Sequence, residues 1–283
     1  MEYLYHKGEK IPLIGLGTYM LGEDESRRES EAKTFAYAVG SCEMTLIDTA
    51  EMYGSGASED FVGEMIKHTD RSKLFIVDKI LPHNAQKGLY EQCCKRSLKR
   101  LGVDCIDLYL LHWRGGVELQ PMVSAMQSLA EKGMIKHWGV SNFDTHDMKE
   151  LFECEGGKDC FCDQVLYNIS ARGIEYDLLP WCKENGVLVM AYSPLCQSAA
   201  DRKKVTADKR IISVSKSENK TPESLMLSFV VRNKDIITVF KTSSKEHLEN
   251  NMQNVFVPIT PEHLQEISKC CKEPCCKMPL QTI

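Results

Sequence analysis

Four side chains of complementary acid–base character stand at or just after short apolar runs: Asp48 in TLIDT, Tyr53 in DTAEMYGSG, Lys79 in LFIVDK and His112 in IDLYLLHW. A carboxylate, a phenol, an amine and an imidazole brought together can move a proton. A phenol titrates near ~10, and an adjacent ammonium stabilises the phenolate and is expected to lower that value. A buried ammonium needs a counter-charge, which assigns Asp48 as the partner of Lys79. Each residue has an ordinary reading too. An Asp after a strand caps a helix, a Lys sits solvated on a rim, and a loop Tyr packs. Position makes the four a set, because each falls at the same point of a repeated unit. Asn142, Asn168, Tyr192 and Lys241 follow later runs in the same way.

The repeated unit is an apolar run, a polar residue, a turn and a helical stretch. The runs are PLIGLGT, TLIDT, LFIVDK, IDLYLLHW, HWGVSN, DQVLYN, VLVMAYS and DIITVFK. Markers at Leu16, Asp48, Lys79, His112, Ser141, Tyr167, Tyr192 and Phe240 are separated by 32, 31, 33, 29, 26, 25 and 48 residues. A strand–loop–helix–loop unit takes about 30 residues, so the sequence predicts eight strands, and the last gap has room for an extra helix. Short Val/Ile/Leu-rich runs suit strands buried on both faces of a parallel sheet. Between the runs, Leu119, Met122, Val123, Met126 and Leu129 keep helical spacing, with Gly133 placed as a C-terminal cap. Thr221-Pro222 opens another helix as N-cap and first helical residue. No linker or low-complexity tract divides the chain. The expected fold is therefore a (β/α)8 TIM barrel over residues 1–283 as a single domain, with an N-terminal β-hairpin at Tyr3–Pro12 and extra C-terminal helices. A doubly wound open sheet is the structural competitor.

The composition excludes several classes. With 35 Lys+Arg against 40 Asp+Glu the net charge is -5, which argues against a nucleic-acid groove or a polybasic membrane face. No apolar run is long enough to span a bilayer, and MEYLYHKGEK has no signal-like apolar core, so a cytoplasmic protein is expected. The 13 cysteines do not read as a disulfide framework in a chain of this length, and no CxxC spacing marks a zinc ribbon or a thioredoxin-like site. No metal is expected, with CCKEPCC near the C-terminus as a minor candidate for a soft ion. Gly15-Leu-Gly17 and Gly54-Ser-Gly56 lack the third glycine of a dinucleotide-binding turn.

Taken together, GLGTY, LIDTAEMYGSGASED, VDK, LYLLHW, HWGVSNF, DQVLYN, MAYSPL and KTSSKEHLENN resemble the aldo-keto reductase superfamily over nearly the whole chain. LLHWRGG and YNISARGIEYDLLPWC look most like its bacterial group that includes methylglyoxal reductases. The resemblance implies a catalytic tetrad of Asp48, Tyr53, Lys79 and His112. In it a nicotinamide cofactor gives hydride to a carbonyl carbon, Tyr53 gives the proton, His112 orients the carbonyl and Lys79, fixed by Asp48, tunes Tyr53. It also implies cofactor contacts at Thr18, Ser141, Asn142, Gln164, Tyr192, Ser193, Leu195, Lys241, Thr242, His247 and Asn251. Lys241 and the hydroxyl residues suit a 2′-phosphate, so NADPH is expected, with NADH possible. His247 stands where much of the family has Arg, and imidazole is a weaker anion ligand than a guanidinium fork. Cys196 and Gln197 stand where many members have small residues.

Tyr19, Met20 and Trp113 are expected to line the substrate mouth, with small aldehydes and α-dicarbonyls as substrates. Arg114 either meets an acidic group of the substrate or forms a rim ion pair. A monomer without nucleic-acid or membrane partners is expected. The alternative function is a non-catalytic nicotinamide-binding sensor or channel-associated subunit. A thiol or metal-storage protein is a third idea, resting on the C-terminal cysteines alone.

Overall fold

The apolar runs become strands because each can bury both faces, one against the barrel interior and one against a helix. The computed structural model describes residues 1–282. Strands β1 (Tyr3–His6) and β2 (Glu9–Pro12) form an antiparallel hairpin. Strands β3 (Ile14–Gly17), β4 (Leu46–Asp48), β5 (Phe75–Ile80), β6 (Ile106–Leu111), β7 (Ile135–Ser141), β8 (Cys162–Leu166), β9 (Leu188–Tyr192) and β10 (Ile236–Phe240) follow. These eight are parallel and close on themselves in the order β10-β3-β4-β5-β6-β7-β8-β9. The barrel and the hairpin are thus those the sequence predicts.

The hairpin turns at Lys7 and Gly8, where φ is 44° and 87°. It covers the N-terminal end of the barrel. His6 Nε2 lies 3.2 Å from the carbonyl of Phe161, Lys7 Nζ donates to that of Cys160 at 2.9 Å, and His137 stacks on the Phe161 ring at 4.3 Å. The opposite, C-terminal end is left open for chemistry.

Helices follow the strands with the expected signals. Helix Leu119–Glu131 buries Leu119, Met122, Val123, Met126 and Leu129, and Gly133 beyond it is left-handed. Thr221 accepts a hydrogen bond from the Ser224 N–H and opens Pro222–Val231. The long gap before β10 holds two helices more than a simple repeat unit: Ala199–Thr206 and Lys209–Ser217 precede Pro222–Val231. The chain then adds Lys245–Met252 and Pro261–Cys270. Among the described residues no helix is long and apolar enough to cross a membrane.

Register sets the height of the polar residues. Gly17 pairs with Asp48, Asp48 with Val77, Lys79 with Leu110, Ser141 with Gln164, and Leu166 with Tyr192. All of β5 is buried, including Asp78 and Lys79. Successive side chains point to opposite faces, so Lys79 enters the barrel while Asp78 enters the helix layer. Between β7 and β8 the backbones approach closely at Gly139, where a Cβ would lie 2.4 Å from the Cys162 carbonyl oxygen. Gly139→Ala is therefore expected to destabilise the protein by roughly 1–3 kcal/mol, as overpacking does in a full core. Denaturant midpoints check this, and a midpoint equal to wild type would show that the two strands can separate freely.

Candidate active site

Strand β4 ends on Asp48 and β5 carries Lys79 beside it, which makes the buried ion pair the floor of the site. Lys79 Nζ donates to Asp48 Oδ1 at 2.7 Å, to the Thr49 carbonyl at 2.8 Å and to the Tyr53 hydroxyl at 3.4 Å. Gln164 Nε2 donates to the same Asp48 oxygen at 2.7 Å. Burial alone would lower the Lys79 pKa, but the Asp48 carboxylate and Tyr53 outweigh it and the net shift is upward. The lysine is a fully buried cation.

Tyr53 is aimed by an unusual turn. Gly54, Ser55 and Gly56 are all left-handed, with φ of 55°, 54° and 100°. At Gly56 a Cβ would lie 2.2 Å from the Arg100 guanidinium carbon, so any side chain there would have to displace the arginine that pairs with Glu59. The turn delivers the phenol to the end of the Lys79 side chain. Its pKa corrects the expectation from sequence: burial pushes it up, and Lys79, which pulls it down, does not overcome burial. In the absence of ligand, Tyr53 holds its proton more firmly than a free phenol.

His112 follows β6 with its ring 5.9 Å from that of Tyr53. Burial, assisted by the charge of Lys79, lowers its pKa to about 3. The imidazole is neutral at physiological pH, and its buried Nδ1 has no hydrogen-bond partner. A donor without an acceptor is costly to bury, so the proton is assigned to Nε2.

A cavity of about 340 Å³ opens above these groups. Ser141 Oγ donates to the Gln164 carbonyl at 2.7 Å, and Asn142 Nδ2 to the His112 carbonyl at 3.1 Å. The Tyr192 hydroxyl donates to Asn142 Oδ1 at 2.7 Å. Three amide or hydroxyl side chains and one aromatic ring thus form a single braced wall.

The model of the aldo/keto reductase family matches residues 13–272. The chain belongs to this family. It is 37% identical to methylglyoxal reductase YeaE of Escherichia coli (strain K12), covering 96% of this chain and 95% of that protein. It is 26% identical to glyoxal reductase of Bacillus subtilis (strain 168), over 95% and 92% of the two chains. An aldo-keto reductase of Klebsiella pneumoniae in complex with NADPH superposes with a TM-score of 0.94 at 36% identity, covering 100% of this chain and 99% of that one. By family this aldo-keto reductase is a nicotinamide-dependent carbonyl oxidoreductase.

Most residues expected at the reductase site do converge. Tyr19, Asp48, Tyr53, His112, Trp113, Ser141, Asn142, Gln164, Tyr192, Ser193, Leu195 and Lys241 line the cavity, with Lys79 beneath it. Five residues do not line it. Thr18 is fully buried and spends its hydroxyl on the Asp48 carbonyl, and Met20 turns outward at φ 63°. Thr242 Oγ1 donates to the Ser244 carbonyl, the His247 N–H donates to the Ser244 hydroxyl in the first turn of its helix, and Asn251 is buried on that same helix. Asn168 organises the next loop, donating to the Ser193 carbonyl at 3.0 Å. Arg114 is a rim ion-pair residue, bound by Asp147 and Glu150. The lining also includes Met52, Pro194, Cys196 and Arg202. Met52 could have been found from its place beside Tyr53, whereas nothing in the sequence pointed to Arg202.

Of the cysteines only Cys196 lines the cavity, among the described residues. All 13 are unpaired, and burial pushes the thiols of Cys94 and Cys160 up to about 12. In the C-terminal cluster Cys271 is buried while Cys275 and Cys276 are exposed.

Behind this wall the reductase buries another carboxyl, that of Asp163. Asp163 precedes Gln164 on β8 and faces the opposite side. Its Oδ1 accepts from the Phe143 N–H at 3.5 Å, its Oδ2 has no partner, and burial raises its pKa well above the usual carboxylate range. A raised folded-state pKa contributes stability that is fully present below the unfolded value of about 4 and is lost as pH rises through the folded one. Asp163→Asn, which keeps the neutral shape, should therefore gain stability relative to wild type, and more at pH 8 than at pH 5. Denaturant melts at both values test the sign, and an equal difference at both would mean that Asp163 does not titrate.

Proposed function

We propose that the chain is an NADPH-dependent reductase that converts small aldehydes and α-dicarbonyls such as methylglyoxal to alcohols, with Tyr53 as the general acid. The observation that carries this reading is the Tyr53 phenol held 3.4 Å from the buried Lys79 ammonium, with the His112 ring 5.9 Å from its own, at the floor of one cavity.

The residues present fit a nicotinamide dinucleotide. Tyr192 offers an aromatic face, Ser141, Asn142 and Gln164 offer amide and hydroxyl groups, and Lys241 offers positive charge at the far rim. When bound, the reduced nicotinamide supplies the hydride that reaches the carbonyl carbon. The His112 Nε2–H donates to the carbonyl oxygen and fixes its direction. Tyr53 then gives its hydroxyl proton to that oxygen as negative charge develops there. Lys79 stabilises the phenolate left behind, and Asp48 keeps Lys79 charged throughout. In the reverse direction the Tyr53 phenolate is the base.

The open wall is formed by Tyr19, Met52 and Trp113, which are 56%, 40% and 38% exposed. With Arg114 bound by acids, this wall has no cation for a substrate carboxylate, which supports uncharged carbonyl compounds. We read residues 1–283 as one domain, acting as a monomer in the cytoplasm, where 13 unpaired thiols would stay reduced.

Purified protein should oxidise NADPH when given methylglyoxal or a simple aromatic aldehyde. Tyr53→Phe should lower kcat by roughly 10²–10⁴, the usual share of a general acid, while NADPH still binds by fluorescence. Because His112 is neutral above about 3, kcat/KM for reduction should be flat from pH 5 to 8, falling only in the alkaline range as Tyr53 loses its proton. Equal turnover by Tyr53→Phe and wild type would remove the assigned acid. Tight NADPH binding without turnover across a carbonyl panel would favour a sensor.

A further inference from the structure

The cavity is also lined by two cations, Arg202 and Lys241, and they stand in contrast to the balanced pair at its floor. Lys241 follows β10, and Arg202 lies on helix Ala199–Thr206 in the long connection after β9. Neither side chain makes an ion pair or hydrogen bond among the described residues. In a chain of net charge -5 most guanidinium groups do find an acid: Arg71 is held by Asp107, Arg100 by Glu59, Arg172 by Glu175. Two uncompensated cations on one groove make an anion-binding rim, since their mutual repulsion is relieved by a negative ligand.

The loop that brings Arg202 there is built rather than slack. Ser193 and Cys196 both adopt left-handed conformations, with φ of 51° and 69°, which is costly for residues other than glycine. Asn168 holds the Ser193 carbonyl at 3.0 Å, and Cys196 Sγ rests 3.4 Å from Ser170 Oγ. Ser198 caps the helix by accepting from the Asp201 N–H at 3.0 Å, and its hydroxyl engages the Asp201 carboxylate at 2.6 Å. That bond occupies the acid next to Arg202 with a local partner.

We propose that Arg202 is a phosphate-binding residue, a guanidinium that works with Lys241 to hold a phosphate of the dinucleotide. This rests on the reading that a nicotinamide dinucleotide occupies the groove. It also answers the departure at residue 247: the strong fork that imidazole does not provide comes from Arg202, which lines the cavity where His247 does not. A guanidinium can engage two phosphate oxygens at once. The phosphate is either the pyrophosphate, common to NADH and NADPH, or the 2′-phosphate of NADPH alone.

Dissociation constants for NADPH and NADH, read by protein-to-nicotinamide fluorescence transfer at about 50 and about 500 mM salt, test the proposal. Arg202→Ala should weaken NADPH binding about tenfold, in line with the loss of a charge-assisted hydrogen bond, and should flatten its salt dependence. Arg202→Lys should recover part of the loss. Lys203→Ala, which removes an exposed cation on the same helix outside the groove, should change nothing. An equal loss for NADH points to the pyrophosphate, and a loss for NADPH alone to the 2′-phosphate. Wild-type affinity in Arg202→Ala, or the same loss in Lys203→Ala, overturns the proposal while leaving the cofactor reading intact. If wild-type protein binds neither dinucleotide, the cofactor reading itself fails and takes this assignment with it.

Discussion

The arrangement depends on one ion pair in a place where charge is expensive. Removing an ammonium or a carboxylate from water costs several kcal/mol per ion, and their attraction offsets that only when the geometry is good and the remaining donors are satisfied. Lys79 meets the condition with Asp48, the Thr49 carbonyl and the Tyr53 hydroxyl, and Asp48 meets it with Lys79 and Gln164. The pair therefore requires β4, β5 and β8 to stand at one height, since a shift of one residue would turn Lys79 into the helix layer. A well-packed apolar pair would serve stability as well or better. What the ion pair adds is a fixed positive charge beneath a phenol.

That charge also sets the protonation states around it. Burial works against every ionised form, so it raises Tyr53 and lowers His112, and Lys79 opposes the first effect and reinforces the second. The result is a phenol that keeps its proton beside an imidazole that stays neutral, the pairing that the proposed mechanism uses to divide proton donation from orientation. The sequence named these four residues but misjudged the direction for Tyr53, because a neighbour can be inferred from spacing and the degree of desolvation cannot.

The same distinction separates what was legible from what was not. The barrel was legible because strands buried on both faces must be continuous apolar runs, and a repeat of about 30 residues fixes what lies between them. Asp48, Lys79, His112, Ser141 and Gln164 were legible because they lie on or next to strands, where register dictates direction. Residues on loops were not. Met20 turns away and Arg202 turns in because of left-handed backbone at Met20, Ser193 and Cys196, none of which is a glycine that would announce it. Thr18, a cofactor contact on the family resemblance, has its hydroxyl bonded to the Asp48 carbonyl in this structure. The last gap had room for one extra helix and holds two: Lys209–Ser217 buries a stripe of Ile211 and Val214, whereas Ala199–Thr206 buries only Val205 and carries no apolar stripe to announce it.

The contacts among the wall residues bear on how a ligand would enter. Ser141 is tied to the Gln164 backbone, Gln164 to Asp48, Asn142 to the His112 backbone, and Tyr192 to Asn142. Their rotamers are fixed by one another before anything binds, so the entropy of ordering them is spent in folding and not on association. An incoming amide exchanges partners with groups already in place. The far rim is the reverse case, with two cations that have no internal partner and so interact most strongly with what arrives. On the proposed reading, order at the reacting end and unmet charge at the other divide the work: the two cations supply attraction, and the braced wall turns it into alignment above Tyr53.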